Sequence, residues 1–274
     1  MPELPEVETI RKTLKSLIVG KEIKDVLVYL PKIIKYPNDV EEFRFYLKGK
    51  MVKDIGRRGK FLLIEFEDMV LVSHLRMEGR YGLYLKDDPV EKHTHIIFHF
   101  SDGTELRYRD VRQFGTMHLY PKGSENHRAP LNKLGPEPLD ETFTFSQFAA
   151  KTAKRETKIK PLLLNQEFLA GLGNIYVDEA LFMAGIHPER PASSLTCQEV
   201  MKLYEAIRKT LEKAIEMGGS SIKSYVNGQG EMGMFQQQLK VYGRKGNPCF
   251  HCGTEVIRLV VGGRGTHICP KCQK

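Results

Sequence analysis

Four of the five cysteines in this 274-residue chain lie near its end, as Cys249-x2-Cys252 and Cys269-x2-Cys272 with sixteen residues between the pairs. Each pair can place two thiolates on one tetrahedral ion from a tight turn, and four thiolates leave no coordination position open. One closed, structural zinc is expected, with paired redox thiols as the alternative. The segment between the pairs reads as a β-hairpin turning after Val260-Val261 at Gly262-Gly263. Zinc ribbons of this kind occur in enzymes, transcription factors and scaffolds, so the feature constrains the fold of the C-terminus and leaves function open. Cys197 stands alone and reads as a small buried hydrophobe near a helix start.

The length allows two modest domains, or one domain and a small module. Lysine and arginine total 42 against 34 acidic residues, a net charge of +8 and a pI near 9.1. A surplus of this size points to a polyanionic partner, nucleic acid or an anionic membrane surface. The membrane is the weaker reading, because no apolar run approaches the ~20 residues a bilayer span needs. The acidic, proline-punctuated start Met1-Pro2-Glu3-Leu4-Pro5-Glu6 has neither the basic nor the apolar region of a signal peptide, so a cytosolic protein is expected.

Local pattern changes along the chain. Residues 2–18 read as a helix, with Val7, Ile10, Leu14, Leu17 and Ile18 building one apolar face. From about 22 to 120 short strands follow, among them Lys24–Tyr29, Phe61–Phe66, Val70–Leu75, His95–Phe100 and Glu105–Tyr108, with a hairpin signal at Ser101-Asp102-Gly103. Many short strands with turns suggest a sandwich or barrel. Residues 121–144, rich in proline and glycine, look like a linker. The rest reads as mainly helical. Its clearest helix is capped by the Thr196/Glu199 box, carries Val200, Leu203, Ile207, Leu211 and Ile215 as its stripe, and stops at Gly218-Gly219. Residues 218–237 read as a long loop of the kind often used for function.

Several residues could carry chemistry, each beside a plainer reading. Lys60, in Gly56-Arg57-Arg58-Gly59-Lys60, suits a phosphate contact or a merely solubilising turn. Arg264, in Gly262-Gly263-Arg264-Gly265-Thr266, could clamp a phosphate or simply be solvated. His93-x-His95 is a weak metal pair without an evident third ligand, and a phosphate or structural hydrogen bond suits it better. Met77 and Phe114 are, taken alone, core residues. Lys160 and the run from Ala170 to Tyr176, with Asn174, suggest a glycine-rich turn opening a helix, able to bind an anion or to connect two helices.

Taken jointly, these motifs resemble the bacterial formamidopyrimidine-DNA glycosylase family. The segments are Pro2–Glu8, Gly56–Phe61, Ser73–Tyr81, Tyr108–Met117, Gly171–Glu179 and the zinc segment with Gly263-Arg264-Gly265-Thr266-His267. They follow the family's order over essentially the whole chain. The resemblance implies an α+β, two-domain fold: an N-terminal helix plus β-sandwich, then a helical domain with a helix–two-turn–helix, and a C-terminal β-hairpin zinc finger, with DNA between the domains. The implied boundaries are 1–130, a linker at 131–144, 145–237 including a lesion loop at 218–237, and 238–274 for the finger. It implies a bifunctional glycosylase and abasic-site lyase of base excision repair that acts on oxidised purines, 8-oxoguanine and formamidopyrimidines. The partner is damaged double-stranded DNA, the protein a monomer in the bacterial cytoplasm at the nucleoid.

By the same resemblance, Pro2 is the nucleophile and Glu3 its acid partner, while Lys60 and Arg264 bind phosphates around the lesion and assist elimination. Met77, Arg112 and Phe114 fill the gap left by an extruded base. His93, Arg112, Arg155, Lys160 and Asn174 contact DNA, and Cys249, Cys252, Cys269 and Cys272 hold one zinc. Removal of Met1 would make Pro2 a terminal secondary amine. Terminal amines titrate near about 8, and the following helix N-terminus disfavours added positive charge, so a usable neutral fraction exists at pH 7. Two rivals remain: a sister enzyme of the endonuclease VIII type that prefers oxidised pyrimidines, against which Leu4 and Val7 speak, and a catalytically dead zinc-ribbon DNA-binding protein, against which intact Pro2, Glu3, Lys60 and Arg264 speak.

Overall fold

The computed structural model describes residues 1–220 and 233–274. The chain divides into two compact units, residues 1–132 joined by the described part of Gly218–Gly233, and residues 133–217 with 234–274.

The first unit opens on α1 (Leu4–Ile18). The helix starts two residues later than its apolar spacing suggests. Glu3 is its extended N-cap, and the Glu6 carboxylate reaches back to accept from the Glu3 amide at 2.8 Å. This acidic capping box leaves Pro2 just ahead of the helix N-terminus. Val7, Ile10, Leu14 and Ile18 are buried on one face as their periodicity requires.

Next come β1 (Ile23–Val28), β2 (Ile34–Tyr36), α2 (Val40–Leu47), β3 (Asp54–Arg58), β4 (Phe61–Glu65), β5 (Met69–His74), β6 (Arg80–Leu85), β7 (Thr94–Phe100), β8 (Thr104–Arg109) and β9 (Thr116–Pro121). They form a four-stranded sheet in the order β1-β7-β8-β6 and a five-stranded sheet in the order β2-β9-β5-β4-β3. All neighbours are antiparallel except β2 and β9. One core joins both sheets to α1, with Phe98, Leu106 and Tyr108 from the first, Leu62, Leu71 and Leu119 from the second, and Leu14 from the helix. The β7–β8 hairpin turns where the sequence indicated. Gly103 has φ +85°, and Asp102 accepts from the Thr104 amide at 3.0 Å.

In the second unit α3 (Phe145–Thr152), α4 (Ile159–Leu164), α5 (Asn174–Ala184) and α6 (Cys197–Glu216) precede β10 (Ile257–Val261) and β11 (Arg264–Ile268). α6 is capped by Thr196 and Glu199 and buries Val200, Leu203, Ile207 and Leu211, while Cys197, its first residue, is exposed and not the buried hydrophobe expected. The two turns between α4 and α5 are stapled by Gln166, which donates to the carbonyls of Leu164 and Leu172 and accepts from the Gly171 amide. The fold is therefore α+β, with a helix–two-turn–helix and a terminal hairpin.

The proline- and glycine-rich stretch before α3 is tethered rather than loose. Gly135 donates to the Gln166 carbonyl, and an added Cβ there would meet the Glu167 carbonyl at 2.5 Å. Past α6, Gly218 and Gly219 take φ +73° and +77°. Ser220 then donates to Glu6 at 2.8 Å, and this end of the expected loop belongs to the first unit. Residues 221–232 of that loop, including Ser221-Ile222-Lys223, lie outside the described residues.

Candidate active site and zinc centre

In the first unit the residues expected to react are buried. Glu3 is 3% exposed and Lys60 5%, and Pro2, next to Glu3 in sequence, is buried too. Lys60 occupies the two-residue turn Gly59-Lys60 between β3 and β4, where Gly59 has φ +55°. The turn is fixed to α1 by ions. Arg57 donates to Glu8 at 3.1 Å and to the Gly59 carbonyl at 2.9 Å, and Arg11 pairs with Glu8 at 2.7 Å. Burial opposes the charge on Glu8, but the two guanidinium partners outweigh it and hold the carboxyl below its ordinary range. Glu6 has a second role beyond its cap. One oxygen serves the Glu3 amide and the other the Ser220 amide, and an added Cβ at Gly219 would sit 2.8 Å from it. In the sequence Glu6 and Glu8 stand out only as members of the acidic Pro2–Glu8 segment.

His74, at the end of β5, has no signal in the sequence. Its Nδ1 accepts from the Arg76 amide at 2.8 Å, so its proton resides on Nε2. Burial, then the charges of Arg76 and Lys60, bring its pKa from the ordinary 6.5 to about 3. The fold thus favours the neutral ring. That preference contributes stability above pH ~6.5 and is lost progressively as pH falls toward the folded value. His118, brought down to about 4 by burial and by Lys35 and Arg76, acts in the same direction. His74→Asn, which keeps an acceptor for the Arg76 amide, is expected to lose less stability than the parent between pH 7 and 5. Denaturant midpoints at the two pH values check this, and equal losses would contradict it.

The predicted extrusion residues lie on exposed turns. Phe114 is 54% exposed with the Arg112 guanidinium 5.0 Å over its ring, and Met77 is 40% exposed. Neither belongs to the core. His93 is half-buried, its ring edge-on to His95 at 6.5 Å, and His95 is committed to the Asp110 carbonyl at 2.8 Å. No metal cluster among the described residues includes either histidine.

In the second unit Lys160 and Asn174 converge on one carbonyl, that of Gly265 next to Arg264. Asn174 Nδ2 donates to the Gly265 oxygen at 2.9 Å and Lys160 Nζ to the same oxygen at 3.2 Å. Gly262 and Gly263 supply the positive φ of the two-residue turn, +56° and +74°, which leaves Arg264 exposed at the start of β11. Arg155 is exposed between α3 and α4.

Lys160 departs from the expectation of a DNA-contacting side chain. It is 0% exposed and its ammonium lies 2.6 Å from Asp178, itself 0% exposed, which also accepts from the His267 amide at 2.9 Å. A buried cation so placed holds the Arg264 turn against α5. Lys160→Ala would strand the Asp178 carboxylate, and removing one partner of a buried pair costs about 3–5 kcal/mol. Equilibrium unfolding of the variant measures it; a loss under about 1 kcal/mol, as for surface pairs, would contradict the burial.

The cysteine sulfurs lie within 4.8 Å of one another, with Cys249 and Cys272 3.9 Å apart and Cys252 and Cys269 3.4 Å apart. Zinc–sulfur bonds of about 2.3 Å at tetrahedral angles require separations of about 3.8 Å, so the four residues fit one zinc. The His251 amide points at the Cys249 sulfur, as an amide stabilising a thiolate does. With four protein thiolates the site is closed and structural.

Three family descriptions cover the chain in order. They are the formamidopyrimidine-DNA glycosylase N-terminal domain over residues 1–117, the formamidopyrimidine-DNA glycosylase H2TH domain over 134–226, and the zinc finger found in FPG and IleRS over 246–274. Together they define a DNA repair glycosylase of the helix–two-turn–helix class. The formamidopyrimidine-DNA glycosylase of Brevibacillus brevis is 65% identical over all of this chain and 99% of its own length. That of Cytobacillus firmus is 62% identical over the whole of both. The Lactococcus lactis Fpg (MutM), solved in complex with N7-benzyl-Fapy-dG DNA, superposes with a TM-score of 0.94 at 44% identity over the full length of both chains. Another Lactococcus lactis Fpg structure contains abasic-site DNA and gives 0.94 at 44% identity over 99% of each chain. The chain belongs to the formamidopyrimidine-DNA glycosylase family.

Proposed function

We propose that this protein excises oxidised purines, 8-oxoguanine and formamidopyrimidines, from double-stranded DNA and then cuts the strand, with the Pro2 amine as nucleophile. The observation that supports this most is the start of α1, where Glu3 and Glu6 are buried in a capping box directly after Pro2. A helix N-terminus disfavours protonation of an amine placed there, which keeps it nucleophilic near neutral pH. The neutral secondary amine attacks C1′ of the deoxyribose, the glycosidic bond breaks, and the base leaves with the bonding pair. The amine gives up its proton, O4′ is protonated and the C1′–O4′ bond breaks to open the sugar ring, and the nitrogen lone pair forms an iminium at C1′ that acidifies C2′–H. Loss of that proton expels the 3′ phosphate, and a second elimination expels the 5′ phosphate. Glu3 exchanges protons with the sugar during these steps.

Lys60 and Arg264 hold the flanking phosphates, with Asn174 supporting the Arg264 turn and Lys160 acting through it as a positioning residue. The neutral Nε2–H of His74 offers a further phosphate donor near Lys60. His93 and Arg155 contact the DNA. Flipping the damaged base costs a few kcal/mol, and Met77, Arg112 and Phe114 offset part of that by entering the vacated stack. The relatives' names and the Fapy-dG and abasic DNA bound by the Lactococcus lactis proteins support purine lesions over the oxidised pyrimidines of a sister enzyme. The protein would act as a monomer on chromosomal DNA in the bacterial cytoplasm; no helix among the described residues is long and apolar enough to cross a membrane.

The test is a panel of duplexes, each with one defined lesion, incubated with the protein with and without borohydride. Oxidised purines are expected to be released, to leave strand ends carrying phosphate on both sides, and to be trapped covalently with borohydride. Release of oxidised pyrimidines in preference would reverse the substrate assignment.

A further inference from the structure

Met77 and Phe114 are carried by different turns. One runs from Leu75 to Gly79 and leads into β6; the other runs from Asp110 to Gly115 and leads into β9. Strand pairing ties only the roots of the two turns, His74 to Thr116 across β5 and β9 and Arg80 to Arg109 across β6 and β8, and leaves the residues between them to be set by other contacts. A buried side chain stands between them. An added Cβ at Gly79 would fall 2.4 Å from the Tyr108 hydroxyl, and one at Gly115 would fall 1.7 Å from it. The backbones of both turns therefore close on the tip of Tyr108, and both contact points must be glycine.

The hydroxyl is tied down from below. It donates to Oδ2 of Asp110 at 3.3 Å, and the same oxygen accepts from the amides of Phe114 at 2.9 Å and Gly115 at 2.8 Å. Oδ1 accepts from the Arg112 amide at 3.1 Å. Four donors thus converge on one carboxylate that is 1% exposed. Burial, then the Asp110 charge, push the Tyr108 pKa up, so the phenol stays a donor. The Asp110 backbone extends the tie, its amide donating to the His93 carbonyl at 3.1 Å and its carbonyl accepting from Gln113 at 3.3 Å. Arg76, His93 and Gln113 are the non-glycine residues with positive φ among the described residues, at 54°, 69° and 58°. One lies on each turn and the third is bonded to Asp110. Strain gathered at one place persists only where the surroundings over-determine it, and it marks functional sites.

We propose that Tyr108 and Asp110 are positioning residues for base extrusion, a buried bracket that sets the spacing of the Met77 and Phe114 turns so that both side chains enter the DNA stack as one rigid wedge. The inference rests on the reading of Met77 and Phe114 as the wedge. A bracket of this kind matters while a base is being taken out of the stack. It matters little at a pre-formed abasic site, where no base has to leave.

The experiment compares Asp110→Asn, Tyr108→Phe and Phe114→Ala with the parent. For each, single-turnover excision from an 8-oxoguanine duplex and cleavage of a pre-formed abasic site are measured, with 2-aminopurine beside the lesion reporting extrusion and thermal unfolding reporting the fold. Asp110→Asn keeps the shape and loses acceptors. It is expected to slow extrusion and excision about tenfold or more, the scale of a lost hydrogen bond to a buried charge, with abasic-site cleavage within about twofold of the parent. Tyr108→Phe removes one hydroxyl and retains the ring in the core, so it should fold even if Asp110→Asn does not, with a smaller loss of the same selectivity. Equal losses on the two substrates in both variants, or no loss in either, while Phe114→Ala remains lesion-selective, would overturn the bracket alone. A Phe114→Ala variant without lesion selectivity would overturn the wedge reading, and the bracket with it.

Discussion

Extending the chain by one uncleavable residue ahead of Pro2 is expected to abolish both base excision and borohydride trapping. The extension converts the Pro2 amine into an amide, whose nitrogen lone pair is delocalised and does not attack C1′. Few substitutions test the point as directly. Pro2→Ala still leaves a terminal amine after removal of Met1, so residual trapping in that variant says little. The site around the amine should survive the extension, because Glu3 caps α1 and Glu6 and Glu8 within the helix are tied to Ser220 and Arg57. Binding to lesion duplex should therefore change far less than turnover. Glu3→Gln completes the argument from the other side. It keeps the shape of the N-cap and removes proton exchange with the sugar, a contribution of about 10²- to 10⁴-fold, so the variant should bind lesion DNA and fail to release the base. Peptide mapping of the trapped parent adduct should place the sugar on the N-terminal peptide. Trapping that persists in the extended chain would move the nucleophile to a lysine, with Lys60 the first to replace.

What could be read before the structure follows from how local each signal is. The Thr196/Glu199 box, the apolar stripe of α6, the Gly262-Gly263 turn and the cysteine spacing each act within a few residues, and each is present where the sequence indicates. The start of α1 was misread by two residues because apolar spacing counts helical positions and is blind to the cap. A glutamate at position 3 and another at position 6 make the box, in place of the usual serine or threonine. β2, β3, β6 and β9 carry weak alternation, and α2 hides behind the Asp39 cap, so these elements were not picked out.

Residues that act across the fold were not legible at all. Asp178 meets Lys160 eighteen residues away, Glu179 collects the amides of Lys240, Val241 and Tyr242, and His74 owes its neutrality to burial as well as to nearby charges. Nothing local marks such side chains, because their partners are set by topology. The candidate site was accordingly visible as residue types in motifs, whereas the buried network that aims them was not. Lys160 shows the difference. Its motif suggests a contact, whereas its side chain is buried against Asp178 and the Gly265 carbonyl.

Cys269→Ser is expected to release the zinc, to loosen the hairpin bearing Arg264, and to reduce lesion-DNA binding severely. Structural zinc in small finger modules contributes roughly 10–16 kcal/mol of apparent binding energy, and in such modules that energy serves as folding energy. Besides the metal, the hairpin is held to the helices by Lys160 and Asn174 at the Gly265 carbonyl and by Asp178 at the His267 amide. Its buried apolar cluster comprises Val241, Val256 and two of the cysteines themselves, with Phe182 of α5 packed against it. Metal removal therefore takes away the cross-link at the base of β10 and β11 and loosens the hairpin that carries the Gly265 carbonyl on which Lys160 and Asn174 converge. The first unit has its own core of two sheets and α1, so its secondary structure should survive. Elemental analysis should find one zinc per parent chain and clearly less in the variant, and limited proteolysis should cut the variant first after residue 240. Full zinc content with normal binding would mean three thiolates and a fourth ligand suffice, with His251 the first to suspect, since its Nδ1 lies 3.5 Å from the Cys272 sulfur.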